Sequence, residues 1–120
     1  MVREQLKGKN IVITGASGGI GAEIAKLCAE SGANLVLIAR SIEKLKQLQM
    51  ELQQKHQVRV EVYQLDVSDT EKVKEVFTAI FAEIGEVDIL VNNAGFGVFR
   101  EAHAATMDEI KGMFDVNVVG

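Results

Sequence analysis

Short apolar runs alternate along this chain with longer segments whose apolar residues return every three or four positions. That alternation restricts the fold to a parallel sheet flanked by helices. Asn10 to Thr14 reads as a first strand. A helix follows with Ile20, Ile24, Leu27 and Cys28 on one stripe, ending near Gly32. Asn34 to Ala39 holds the unbroken run Leu35-Val36-Leu37-Ile38, which predicts a strand buried on both faces. A second helix from Ser41 shows Ile42, Leu45, Leu48 and Leu52. Val58, Val60 and Val62 then alternate with Arg59, Glu61 and Tyr63, as in a strand with one covered face. Ser68 and Glu71 are spaced as a capping box for a third helix, with the stripe Val73, Val76, Phe77, Ile80, Phe81 and Ile84 and a stop at Gly85. Val87 to Val91 is a fourth strand. Thr106 and Glu109 repeat the capping spacing before Met107, Ile110, Phe114 and Val118, a fourth amphipathic helix.

Right-handed crossovers and a third strand at the sheet edge give the order 3-2-1-4, an incomplete doubly wound α/β sheet. The order reverses between strands one and four, and ligands of such sheets bind beyond the strand ends at that point. Strand four is left without an outer neighbour. The expectations that follow are that residues 1–120 form half of a larger domain, and that the open edge or the fourth helix drives self-association.

Composition narrows the function. With 48% hydrophobic residues in 120, the chain suits one packed domain. A net charge of −4 without a basic run argues against nucleic acid as a partner. No apolar run approaches the roughly 20 residues that cross a bilayer. The lone cysteine, Cys28, fits a reducing cytoplasm and reads as a small core residue. Two histidines, His56 and His103, stand apart from any Cys/His cluster, so no metal site is expected. Tyr63 alternates outward and reads as a surface residue.

The chemistry concentrates between strand one and its helix, in Thr14-Gly15-Ala16-Ser17-Gly18-Gly19-Ile20-Gly21. Glycine permits a sharp turn and close approach of a pyrophosphate, which the N–H groups and dipole of the helix start then face. About 20 residues on, where an acid would bind a ribose 2′-hydroxyl, stand Arg40 and Ser41. Arg40 alone could be a solvated loop cation. Its place after a strand, at that distance from the glycines, favours pairing with a 2′-phosphate, and so NADP over NAD. Asp66, followed by Val67, could accept from an adenine amino group or simply begin a helix. Asn92-Asn93-Ala94-Gly95 could be a turn, but it lies at the ligand end of the sheet with room for a ligand to approach the main chain. Asn117 shares the apolar stripe of the fourth helix and needs a partner, either a backbone group or a reactive centre.

Together these residues resemble the short-chain dehydrogenase/reductase family. Residues Thr14 to Gly21 are similar to its TGxxxGxG motif, Asp66-Val67 to its adenine-pocket pair, Asn92 to Gly95 to its NNAG motif, and Asn117 to the asparagine of its active site. The resemblance implies a Rossmann-type three-layer αβα fold. It also implies a cofactor site drawn from Gly15, Ser17, Gly18, Gly19, Ile20, Gly21, Arg40, Ser41, Asp66, Val67, Asn93, Ala94 and Gly95. Arg40 and Ser41 resemble the NADP-preferring branch. The implied reaction is hydride transfer between NADPH and a small carbonyl or alcohol, with Asn117 in a proton relay. The family's serine and Tyr-x-x-x-Lys pair have no counterpart in residues 1–120: four residues after Tyr63 stands Val67. The chain alone is therefore expected to be inactive, an amino-terminal fragment of such an oxidoreductase. The competing expectations are a module that only binds nucleotide, or an engineered half-fold.

Overall fold

The computed structural model describes residues 6–93 and the strand at 98–100. Its elements, in chain order, are β1 (Asn10–Thr14), α1 (Gly19–Glu30), β2 (Asn34–Ala39), α2 (Ile42–Lys55), β3 (Val60–Gln64), α3 (Thr70–Ile84), β4 (Ile89–Asn92) and β5 (Val98–Arg100). They form one sheet of order β3-β2-β1-β4-β5. The first four strands run parallel, and β5 is antiparallel to β4. The order 3-2-1-4 expected of the parallel strands is the one observed.

Because side chains on a strand point alternately to opposite faces, each central strand feeds two cores. Ile11, Ile13, Leu35 and Leu37 face α1 and α2, where they meet Ala25, Cys28 and Ala29 and then Leu45, Leu48 and Leu52. Val12, Val36, Ile38 and Leu90 face α3, against Val73, Phe77 and Ile80. The result is three layers. Each fully buried leucine, isoleucine or phenylalanine contributes about 1.5–3 kcal/mol from burial. The rear of the sheet is bracketed by Asn10: its N–H donates to Asp88 Oδ2 at 2.8 Å and its Nδ2 to the Glu86 carbonyl at 2.9 Å. Registered there, β1 and β4 bring their forward ends together.

Four expectations are corrected. On α1, Ile20 and Leu27 are 72% and 63% exposed, and the inward face is Gly21, Ala25, Cys28 and Ala29. That face keeps helical spacing but uses small residues, which let the helix lie close to the sheet. On the edge strand β3, Tyr63 is half-buried against the α3 core while Val62 packs on the opposite core, so both faces are partly covered. The cap of α3 is Asp69, whose side chain accepts from the Lys72 N–H at 3.2 Å; Ser68 instead donates through its N–H and hydroxyl to Asp66 Oδ1. Asp69 stands one residue nearer the helix and meets the orphan N–H of Lys72, while the Ser68 hydroxyl is taken up by Asp66. Finally, β4 is not an open edge, because β5 pairs with it from Ile89 to Val91. The edge argument for self-association therefore falls. The expected fourth helix, with Thr106, Glu109 and Asn117, lies outside the described residues. No helix among the described residues is long and apolar enough to cross a membrane.

Candidate functional site

At the forward end of β1 the chain turns through Gly15 and Gly19, with φ of 63° and 56°, values that favour glycine. The Ala16 N–H donates to the Ile38 carbonyl at 3.1 Å, seating the loop against β2. Gly21 is required by contact instead: a Cβ there would fall on the Gly15 carbonyl oxygen and lie 2.9 Å from Asn93 Nδ2. That amide nitrogen donates to the Gly15 carbonyl at 3.2 Å, so the end of β4 holds the loop from the other side.

The helix that follows starts without help. Its N-cap is Gly18, in extended backbone with φ −171°, no side chain caps it, and no acidic residue stands in its first turn. The first intrahelical bond, Ala22 N–H to the Gly18 carbonyl, is long at 3.4 Å. Gly18, Gly19 and Ile20 are exposed, and a Cβ on either glycine would meet nothing within 4 Å. An α-helix start with its N–H groups and dipole facing open space is a place for an anion.

Beside this loop lies a cleft of about 480 Å³. Its floor is Ile38, Ala39 and Leu65, its glycine wall Gly15 and Ser17, one side wall Arg40, Ser41 and Lys44, and the other Asp66 and Val67. Ser41 caps α2 by accepting from the Lys44 N–H at 3.4 Å, which fixes the wall that carries the two cations. Opposite, the Ser68 hydroxyl and N–H hold the Asp66 carboxyl below the usual carboxylate range, with a smaller contribution from the positive charge of Arg40. Asp66 is thus a hydrogen-bond acceptor at neutral pH. One wall presents positive charge and the other an acceptor, across an apolar floor.

Behind the loop, Thr14 Oγ1 donates to Asn92 Oδ1 at 3.0 Å, both residues fully buried. Asn92 Nδ2 has no hydrogen-bond partner among the described residues. A buried donor left so costs about 1–3 kcal/mol, and it stands at the ligand end of the sheet.

The structure thus gathers the expected Gly15, Ser17, Arg40, Ser41, Asp66 and Val67 around one cleft; Gly18, Gly19 and Ile20 are exposed at the adjoining helix start, and Gly21 and Asn93 pack against Gly15. Ala94, Gly95 and Asn117 lie outside the described residues. Sequence reasoning missed Lys44. The signal was present, since a cation in the first turn of a helix opposes the dipole and asks for another reason to be there. Tyr63 does not join the site: burial and the nearby Glu83 and Glu61 push its phenol up, away from use as an acid near neutral pH. Burial likewise pushes the Cys28 thiol up, as suits a core residue. No group of metal-ligating side chains occurs among the described residues.

The model of the short chain dehydrogenase family matches residues 9–120. The uncharacterized oxidoreductase YxnA of Bacillus subtilis is 40% identical over 117 residues, which are 98% of this chain and 33% of that protein. Among solved structures, an alcohol dehydrogenase of the archaeon Thermococcus sibiricus, complexed with 5-hydroxy-NADP, matches with a TM-score of 0.73 and 40% identity over 92% of this chain and 47% of its own. L-sorbose reductase of Gluconobacter frateurii, complexed with NADPH and L-sorbose, matches with a TM-score of 0.73 and 37% identity over 95% of this chain and 44% of its own. The chain spans a third to a half of the length of these relatives.

Proposed function

Because this chain belongs to the short-chain dehydrogenase family, we propose that it forms the nucleotide-holding half of an NADP(H)-dependent oxidoreductase acting on a small carbonyl or alcohol. The observation that carries the cofactor choice is the cationic wall. At the end of β2, where an acid would accept from a ribose 2′-hydroxyl, the cleft has Arg40, Ser41 and Lys44. A forked guanidinium, a hydroxyl and an ammonium suit a phosphate and repel nothing on it. The ligands bound to the Thermococcus and Gluconobacter enzymes, 5-hydroxy-NADP and NADPH, are both 2′-phosphorylated and support the same reading.

The residues divide the work by their chemistry. The uncapped start of α1, with Gly18, Gly19 and Ile20, faces the pyrophosphate. Asp66 accepts from the adenine amino group, and Val67 and Leu65 cover the base. Asn93 braces the loop, and Ala94 and Gly95 are assigned to the nicotinamide end. When bound, the cofactor supplies the hydride. Asn117 belongs to the proton relay of the complete site. The general acid requires a group within about 3 Å of the substrate oxygen, and no Tyr-x-x-x-Lys pair stands in residues 1–120. These residues by themselves therefore bind nucleotide without turning it over.

Calorimetric titration with adenosine 2′,5′-bisphosphate and with 5′-AMP, which lacks only the 2′-phosphate, tests the proposal. The expected result is tighter binding of the 2′-phosphorylated ligand. Arg40→Ala should then weaken that ligand by about 10- to 100-fold, as for a lost charge-assisted hydrogen bond, and leave 5′-AMP nearly unchanged. Equal affinities in the unmodified protein would overturn the choice of NADP.

A further inference from the structure

Arg40 is exposed, and its side chain has four rotatable bonds. Its aim therefore depends on how firmly its backbone is held. The regular ladder between β2 and β3 ends at the pair Ala39 and Gln64, where the Leu65 N–H donates to the Ala39 carbonyl at 2.9 Å. The next carbonyl along β2 belongs to Arg40. Gln64 meets it with its side chain, Nε2 donating to the Arg40 carbonyl oxygen at 2.9 Å. The amide side chain thus acts as a substitute backbone donor and adds one rung beyond the end of the sheet.

That rung has a specific location. The Arg40 carbonyl is half of the peptide plane leading into Ser41, the cap of α2. Ala39 is held from behind by Leu65, the plane from the side by Gln64, and Ser41 from ahead through Lys44. Gln64 itself does not line the cleft that holds the cationic wall. It lines an adjoining cleft of about 530 Å³, shared with Arg40, Asp66 and Lys72.

We propose that Gln64 is a positioning residue for 2′-phosphate selectivity, acting through the Arg40 peptide plane without touching the ligand. The inference rests on the role given to Arg40 above. Removing the donor while keeping the shape, as in Gln64→Met, should weaken adenosine 2′,5′-bisphosphate by about three- to tenfold, the range of one neutral hydrogen bond. The affinity for 5′-AMP should not change, and in an Arg40→Ala background the same substitution should have no effect on either ligand. A loss shared equally by both ligands, or one that persists without Arg40, would overturn the proposal and leave Gln64 a general structural residue. A readout free of ligand accompanies these titrations: the Ser41 amide resonance, on the same peptide plane, should move in Gln64→Met, and an unmoved resonance would overturn the proposal. If the unmodified protein fails to prefer the 2′-phosphorylated ligand while the Ser41 resonance does move, the fault lies with the role of Arg40 and the selectivity role of Gln64 falls with it.

Discussion

The starts of α1 and of α2 and α3 are built on opposite rules. Ser41 caps α2 and Asp69 caps α3, and each helix carries a glutamate in its first turn, Glu43 and Glu71. Helix α1 has neither cap nor acid, and begins on glycine. All three starts lie on the same side of the sheet's strand ends, yet only α1 leaves its N–H groups and positive dipole end to the surroundings. A serine or aspartate cap contributes typically about 1 kcal/mol. Its absence at α1 is a local cost in stability beside a cationic cleft, and on the function proposed above the anion of a ligand would offset it. The starts of α2 and α3 are satisfied from within the chain, and the start of α1 is not.

The sharpest way to break the contrast is at Gly21, where α1 closes on the loop. Gly21→Ala places a methyl group on the Gly15 carbonyl and against Asn93. Overpacking of this kind costs about 1–3 kcal/mol, occasionally more. A large fall in the thermal midpoint should accompany loss of nucleotide binding; an unchanged midpoint would mean the loop and helix are not locked as described. A second substitution converts α1 into a helix of the other kind. Gly18→Asp supplies a side-chain cap in a backbone conformation any residue adopts. Stability should rise by a few tenths of a kcal/mol relative to glycine. Affinity for adenosine 2′,5′-bisphosphate should fall about tenfold, because a carboxylate then occupies the anion's place. Rising stability with unchanged affinity would separate the helix start from the phosphates. At α3 the converse change, Asp69→Ala, should lower stability by about 1 kcal/mol in denaturant melts and leave nucleotide affinity alone.

How much of this contrast was legible in the sequence follows from its physical scale. The strands, the sheet order and the glycine turn were legible, because continuous apolar runs, alternation and glycine spacing each have a direct backbone meaning. That Arg40 and Ser41 stand near the glycine loop was legible from their spacing after it, and the place of Asp66 from its position after the third strand; all three line one cleft. The inward face of α1 was not. Ile20 and Leu27 carry the larger apolar surface, but the close approach enforced at Gly21 turns the alanine side to the sheet and leaves them outside. The cap of α3 was misplaced by one residue, since Ser68 and Asp69 both fit a cap pattern and only the turn made by Asp66 with Ser68 decides between them. Lys44 left a local trace as a cation in a helix's first turn, whereas the bond from Gln64 to the Arg40 carbonyl joins the ends of two strands, 24 residues apart, a relation that no local pattern encodes.

That turn gives the smallest of the expected effects. The entry to α3 carries two carboxylates with different duties: Asp69 serves the helix, and Asp66 is held by Ser68 and turned to the cleft. Because hydrogen bonding lowers the Asp66 carboxyl from its ordinary 3.8, its contribution to stability is complete above that value and is lost as pH falls through the folded-state value. Nucleotide affinity should likewise carry no dependence on Asp66 between neutrality and about pH 5, roughly a unit above the ordinary aspartate value. Asp66→Asn should therefore flatten part of the acid limb of a stability titration below 3.8 and change nothing in its slope near neutral pH. A change of slope near pH 6 in that variant would mean Asp66 binds a proton in the folded protein at neutral pH, and the cleft would then face its ligand with a donor where an acceptor has been assigned.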